Sequence, residues 1–251
     1  MSITKVQGLV LNHINVSEAD KILTLLTKES GKIKVYARGC RRPKSRLVSS
    51  CEVFSVSDFV LYMGTNLYYI NSCDLRESFY ELRKDLLRLS YAAYFTEIAD
   101  TVTYENMDCK SIFLLLAKTL FYLSKQKVPM GILSCAYQIK LMSLSGYRPL
   151  LKRCAVCGKE GKFTKFSIRL GGAICDNCAA NADAVKINPS TLEFYTNLLF
   201  LPLSRLNTIK IDNNIYMEAD RILSEFVQMH IGKQFKSMVF INTVKDLGIV
   251  K

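Results

Sequence analysis

The 251-residue chain contains no tryptophan, only two histidines and only five prolines. Its richest apolar stretch, residues 112–123, is interrupted by Lys118 and Thr119. No run therefore reaches the ~18 apolar residues that a membrane-spanning helix needs. The first residues show neither a basic leader before a long apolar segment nor a small-residue cleavage site. We therefore expect a cytoplasmic protein.

Motifs for several kinds of catalysis are also missing. Gly-Lys occurs four times but is never followed by Ser or Thr, which excludes a phosphate-binding P-loop. The patterns G-x-G-x-x-G, G-x-S-x-G, H-E-x-x-H and K-x-D-G are absent. His13 and His230 lack the following x-Glu of zinc deaminases, and we interpret both as surface or capping residues. The sequence predicts a protein that is not an enzyme.

Acidic residues are scarce relative to basic ones. The chain has 34 Lys and Arg but only 22 Asp and Glu, so its formal net charge is +12. Such an excess favours an anionic partner. Nucleic acid is the first candidate, and an anionic membrane or an acidic protein is the second.

Short β-type segments fill the first 75 or so residues. Residues 5–14 and 53–62 are candidate strands, and residues 67–70 follow a turn at 63–66. Ile33, Val35 and Ala37 alternate with polar or aromatic residues, the period of two expected of a strand with one buried face. Several short strands with tight turns predict a small closed barrel or a meander.

Helical patterns begin near residue 79. Phe79, Leu82 and Leu86 start an apolar stripe that continues to residue 93, and residues 112–124 and 132–145 are also helical in pattern. Gly146 is placed to end the third of these helices. Residues 190–193 have the S-x-x-E form of a capping box and predict a helix start at Ser190. A last stripe covers residues 215–226.

Four of the nine cysteines form two C-x-x-C pairs separated by 17 residues, namely Cys154, Cys157, Cys175 and Cys178. This is the spacing of a four-thiolate zinc site, although unrelated thiols or a redox pair are the alternatives. Four thiolates leave no open coordination position, so we predict one structural Zn²⁺. Gly158 suits the turn after the first pair, and residues 162–170 are a candidate hairpin. The other five cysteines are scattered and are interpreted as inert thiols.

A dense basic segment runs through residues 32–46, which contain seven cations and no acid. Alternation places its first members on one exposed strand face, and the loop from Gly39 extends that face. Cations beside an aromatic ring suit single-stranded nucleic acid, since charges follow phosphates and a ring stacks on bases. The alternative is a strand edge protected from aggregation by its charges. The predicted DNA-binding residues are Lys32, Lys34, Tyr36, Arg38, Arg41, Arg42, Lys44 and Arg46.

Several stretches together resemble the RecO family of bacterial recombination mediators. They are SEADKILTLLTKESG at 17–31, ARGCRRPK at 37–44, AYQIKLMSL at 136–144, GYRP at 146–149, CAVCG at 154–158, FSIRLGGAIC at 166–175 and HIGKQFKS at 230–237. The resemblance covers nearly the whole chain, and the order of the motifs is more specific than any one of them. All four cysteines of the family's zinc site are present.

The resemblance implies an α+β multidomain protein. Its parts would be an OB-fold β-barrel at residues 1–78, a helical domain at 79–150 and 186–251, and a zinc-ribbon insert at 151–185. It further implies binding of single- and double-stranded DNA, strand annealing, and loading of RecA with RecR onto DNA covered by single-strand-binding protein (SSB), at the bacterial nucleoid. An alternative is an interaction scaffold for acidic partners such as the SSB C-terminal tail, with DNA binding secondary.

Overall fold

The computed structural model describes residues 3–246. Contacts divide the chain into two compact units, residues 1–125 with 237–251, and residues 126–236. Residues 1–2 and 247–251, which the predicted domains include, lie outside the described residues. The helices assigned to one predicted domain divide between the two units, and the predicted domain boundaries stay a prediction.

The first unit begins with a closed five-stranded barrel. Its strands are β1 (Ile3–Asn15), β2 (Lys21–Thr27), β3 (Lys32–Ala37), β4 (Val56–Met63) and β5 (Tyr68–Glu77). The spatial order is β1-β2-β3-β5-β4, closed by pairing of β4 with β1, and β3 and β5 run parallel. This is the OB-fold that the resemblance implied.

The barrel core is built by alternate residues, as the period of two requires. Ile33, Val35 and Ala37 of β3 point inward and pack with Leu23 and Phe59 of neighbouring strands. The predicted alternation of β3 is confirmed. Strand β2 was not predicted, and β5 is longer than its predicted core at residues 67–70.

Three helices complete the first unit, namely α1 (Leu86–Val102), α2 (Lys110–Lys125) and α6 (Lys236–Asp246), which joins the unit from Ser237. The prediction that α1 begins at Phe79 is wrong. Phe79 has a positive φ of 46°, and residues 80–84 form a separate 3₁₀ turn. The helix is capped instead by Asp85, whose carboxylate accepts a hydrogen bond from the Arg88 amide at 2.9 Å.

The second unit contains α3 (Met130–Leu144), α4 (Pro189–Phe200), α5 (Asn213–Ile231) and a small three-stranded sheet. Gly146 follows α3 with a φ of 91°, as predicted. The predicted start of α4 at Ser190 is wrong, because Asn188 is the N-cap and accepts from the Ser190 amide. No helix within residues 3–246 is both long and apolar enough to cross a bilayer.

The small sheet has strands β6 (Lys165–Ser167), β7 (Gly172–Ile174) and β8 (Ala184–Lys186), with β6 in the centre. The hairpin therefore spans residues 165–174 rather than the predicted 162–170, and Gly171 and Gly172 belong to it. Phe166 and Ala173 face the interior of the second unit and are buried.

Candidate nucleic-acid interface and metal centre

The basic segment occupies β3 and the loop that follows it. Lys34 on the outer side of β3 and Arg38 directly after the strand are exposed, and Tyr36 between them is half-buried. In the loop, the side chains of four cations are exposed: Arg41, Arg42, Lys44 and Arg46. Seven of the eight predicted residues therefore lie on the outer side of β3 or in the loop that directly follows it, and we call these seven residues the basic surface.

Lys32 is placed differently from the other seven. Its Nζ lies 3.0 Å from Oδ1 of Asp100 and 2.6 Å from the Asp100 carbonyl oxygen, both on α1. The side chain is only 22% exposed. Lys32 therefore joins the barrel to α1 within the first unit, and the expectation that it shares an open face with Lys34 is corrected.

The remaining cations form no such ion pair among the described residues, although the carboxylate of Asp20 is near enough for Arg38 to act on it electrostatically. Within residues 3–246, no carboxylate oxygen lies within 4.0 Å of the charged nitrogens of Lys34, Arg38 or any cation of the loop. Six cations with a single carboxylate among them create a positive local potential. The surface is therefore electrostatically suited to a polyanion.

The segment before β2 holds the basic loop in place. Ala19 accepts a hydrogen bond from the Arg41 amide at 3.0 Å, and the carbonyl of Ser17 accepts one from Nη1 of Arg41 at 2.8 Å. Asp20 accepts two more, from the Gly39 amide and from the Tyr36 hydroxyl, both at 2.7 Å. This role of Asp20 was not predicted from the sequence, although Ser17 and Asp20 have the spacing of a side-chain-capped turn.

These hydrogen bonds make the loop sensitive to acid. The bonds from the Gly39 amide and the Tyr36 hydroxyl lower the pKa of Asp20, since both favour the charged carboxylate. A lowered folded-state pKa means that the contribution of Asp20 is complete above its ordinary pKa and is lost as pH falls through the folded value.

We therefore expect Asp20→Ala to release the loop at neutral pH. Amide exchange of Gly39 should accelerate roughly three- to tenfold, the effect of losing one part-buried hydrogen bond. Hydrogen exchange followed by NMR measures this rate. Asp74→Ala, which removes an exposed carboxylate elsewhere in the barrel, is the control. An unchanged Gly39 rate in Asp20→Ala would show that the loop is held without Asp20.

The four cysteines of the two C-x-x-C pairs form a cluster in the second unit. Their Sγ atoms all lie within 4.8 Å of one another, and those of Cys157 and Cys175 are 3.8 Å apart. A regular tetrahedron with Zn–S bonds of about 2.3 Å has edges of about 3.8 Å. The cluster is thus of the right size to hold a metal ion, and its donors are the thiolates that zinc prefers.

Local backbone geometry aims the sulfurs at one point. The Gly158 amide donates to the Cys154 carbonyl at 2.9 Å, and Gly158 takes the positive φ of 73° that the sequence predicted. The Cys178 amide closes a similar turn on the Cys175 carbonyl at 3.1 Å. Each pair is therefore a tight turn with both thiols on the same side.

The ionisation of the cluster also favours a cation. Burial raises the pKa of Cys154. Hydrogen bonds from the amides of Cys157, Cys175 and Val156 to its sulfur lower the pKa by more than burial raises it, so that the net pKa is about 6. Hydrogen bonding to Cys175, burial and the remaining thiols raise the pKa of Cys178 to about 12. The Cys154 thiolate therefore forms readily, and a bound cation would favour the thiolate of Cys178 as well.

Comparison with known proteins adds family information. A family model described as "Recombination protein O N terminal" matches residues 1–79, and one described as "Recombination protein O C terminal" matches residues 83–238. Relatives named "DNA repair protein RecO" include that of Thermoanaerobacter sp. strain X514, 35% identical over 98% of this chain and 100% of its own length. Those of Alkaliphilus metalliredigens and Acetivibrio thermocellus are 35% and 33% identical, covering 91% and 97% of this chain and 94% and 98% of their own lengths.

Proposed function

The chain belongs to the RecO family of DNA repair proteins, and from this premise we propose that it is a non-enzymatic recombination mediator. In this role it binds single- and double-stranded DNA and anneals complementary single strands. With RecR it helps to load RecA onto SSB-coated DNA at the bacterial nucleoid. The observation that carries the proposal is the basic surface, seven residues of the barrel and its loop whose cations form no salt bridge within the described part of the chain.

A mediator that hydrolyses no nucleotide has to work by differences in binding. Phosphate contacts made by exposed Arg and Lys side chains are individually weak and are exchanged with solvent ions. Such a surface holds a strand without reading its sequence, so the strand remains available to a complementary strand or to another protein. Strand annealing and transfer of the strand to another protein both depend on this reversible binding.

Titration of labelled single-stranded DNA at several salt concentrations tests the proposal. If about five of the six cations of this surface meet phosphates, log K falls with log salt with a slope of about −3.5. Strand-annealing and RecA-loading assays with RecR and SSB then test the two later steps. The absence of salt-dependent DNA binding would overturn the proposed function.

We propose that the cysteine cluster binds one Zn²⁺ through Cys154, Cys157, Cys175 and Cys178. The ion would be structural, because four thiolates fill a tetrahedral shell and leave no position for water or substrate. The chain's own contribution is the pair of turns that present the sulfurs. The predicted ribbon at residues 151–185 would then be a part that folds with its metal.

A second candidate function is an interaction scaffold for acidic proteins. A groove in the second unit is lined by residues 148–153 and by Leu199 and Phe200. Phe200 is 65% exposed, and the Arg148 guanidinium carbon lies 5.3 Å from the centroid of its ring. An apolar floor bordered by Arg148 and Lys152 is chemically suited to an acidic peptide with an apolar end. The SSB C-terminal tail is the occupant that the family implies.

We expect Phe200→Ala to weaken binding of an SSB tail peptide about tenfold or more, since truncating a central aromatic contact has effects of this size. Binding of bare oligonucleotide should remain unchanged. Fluorescence anisotropy measures both affinities. Phe240→Ala, which truncates another exposed phenylalanine, is the control. Equal peptide affinity of Phe200→Ala and wild type would remove this groove as the tail site.

A further inference from the structure

Three tyrosines form a continuous row on the outside of the barrel. Tyr36 of β3 is the register partner of Tyr69 of β5, and Tyr69 is the partner of Tyr62 of β4. The ring centroids of Tyr36 and Tyr69 are 5.4 Å apart, and those of Tyr69 and Tyr62 are 5.3 Å apart with an interplanar angle of 15°. One aromatic row therefore crosses three adjacent strands.

The row lies on the outer surface rather than in the core. Along β3, the residues on either side of Tyr36 are the buried Val35 and Ala37, and along β4 Tyr62 follows the buried Leu61. All three tyrosines are half-buried. Gly64, in the turn between β4 and β5, leaves room for the ring of Tyr69, because a Cβ at residue 64 would lie only 3.0 Å from Cδ2 of that ring. The turn thus accommodates the row.

Charge and hydrogen bonding connect the row to the basic surface. Tyr36 lies between two exposed cations, Lys34 on β3 and Arg38 directly after it. Its hydroxyl donates to Asp20, which also accepts from the amide of Gly39 at the start of the basic loop. The hydrogen bond to Asp20, whose other carboxylate oxygen is held by Gly39, therefore keeps the ring of Tyr36 next to the cations.

The row continues into aliphatic residues at both ends. Tyr62 pairs with Ile3, and Tyr36 pairs with Ile22, which in turn pairs with Ile14. Ile3 and Ile14 are 64% and 65% exposed. An apolar protein surface could also cover such a belt. The flanking cations favour a polynucleotide, since its bases need π-surfaces and its phosphates need positive charge.

We propose that Tyr36, Tyr69 and Tyr62 form a stacking platform for unpaired bases. The inference rests on the proposed DNA-binding function and extends it. The bound DNA would run from the basic surface across β5 to β4. The phosphates contact the cations of β3 and its loop, and successive bases stack on the tyrosine rings. Since every base has a π-face, the platform binds single strands without sequence preference and excludes paired bases.

Comparing oligothymidylate with an abasic oligonucleotide of equal length tests the platform, because the two carry the same charge. Stacking of one base on an aromatic ring contributes about tenfold in affinity, which corresponds to about 1.4 kcal/mol. We therefore expect Tyr62→Leu/Tyr69→Leu to bind oligothymidylate about 100-fold more weakly than wild type. The variant should bind the abasic strand as wild type does. Tyr62→Phe/Tyr69→Phe keeps the rings and should retain wild-type affinity.

Tyr80→Leu/Tyr104→Leu is the matched control, since these two tyrosines are 62% and 66% exposed elsewhere in the first unit. It should bind both oligonucleotides as wild type does. Equal affinity of wild type for the two strands would overturn the platform and leave phosphate binding intact. Equal loss on both strands in the leucine variant would also overturn it. Failure of wild type to bind either strand would instead overturn the proposed function.

A second measurement does not depend on leucine variants that fold. Because the chain has no tryptophan, Tyr69→Trp introduces a single indole emitter within the row. Stacking of bases should quench its fluorescence on addition of oligothymidylate but not on addition of the abasic strand. Tyr80→Trp should respond to neither. Equal quenching of Tyr69→Trp by both strands would contradict stacking.

Discussion

Reversing the charge of Arg38, Arg41 and Arg42 to glutamate should weaken single-stranded DNA binding about 100-fold at roughly 0.1 M salt. Each phosphate contact contributes about 0.7 to the slope of log K against log salt, and hence about 0.7 log units of affinity at that concentration. Losing three contacts out of about five should also reduce the slope from about −3.5 to about −1.4. Titrations at several salt concentrations measure both quantities, and annealing should slow in parallel.

The matched control reverses three exposed lysines of α2 in the same unit, Lys110, Lys118 and Lys125. It changes the net charge equally, so a loss of affinity caused only by total charge would be the same in both triple variants. Arg41 also donates to the Ser17 carbonyl, so its replacement could disturb the loop. The Arg38→Glu/Arg42→Glu variant leaves that bond in place and should still weaken binding about 25-fold. Unchanged binding by these variants would move the DNA site elsewhere.

The basic surface was predictable because its signals are local. Alternation in β3 reflects a strand with one buried face, and the density of cations needs no tertiary knowledge. The pairing of Lys32 with Asp100 joins residues 68 positions apart, and no local pattern announces it. The residues of the surface could therefore be predicted from the sequence, whereas the pairing of Lys32 with α1 became apparent only in the folded structure.

Strand β2 and the start of α1 show two other reasons for failure. Leu25 and Leu26 of β2 are consecutive and both fully buried, so the strand lacks the alternation that marks one buried face. The predicted stripe passes from Phe79 through Leu86, which is 42% exposed, whereas α1 buries a neighbouring face that begins at Leu87. Apolar spacing therefore continued across the 3₁₀ turn without marking where the helix begins. Asp85 marks the start of α1 in the sequence, since an aspartate before an apolar run is a preferred N-cap.

The tyrosine row illustrates a limit of register. Tyr36, Tyr62 and Tyr69 come together only because β3 and β5 run parallel and because the register of β4 and β5 shifts at Val60 and Leu61. A shift of one residue reverses which side chains face outward. The sequence showed Tyr36 as an aromatic residue beside cations, but it gave no sign that the other two rings lie next to it.

The cysteine cluster was predictable because each C-x-x-C turn is complete within a few residues.

Replacing Cys154 with serine should abolish zinc binding and unfold the ribbon. Each of its three strands has only three residues, too few for a stable sheet without support. In small zinc domains the metal contributes about 10–16 kcal/mol of apparent binding free energy, which is folding free energy when the free site is unformed. Elemental analysis should find one zinc per wild-type chain and none in the variant, and limited trypsin digestion should cleave the variant within residues 152–169.

Cys73→Ser, which replaces a half-buried cysteine of the barrel outside the cluster, should retain its zinc and its resistance to trypsin. Acidification should release the metal from wild type, because the ligands bind as thiolates and protons compete for them. Chelation at neutral pH should reproduce the digestion pattern of Cys154→Ser, since both treatments remove the same ion. A metal-free protein whose ribbon still resists trypsin would show that packing around Phe166, rather than the ion, holds this segment. Iron in place of zinc would leave the ligands as proposed and overturn the identity of the metal.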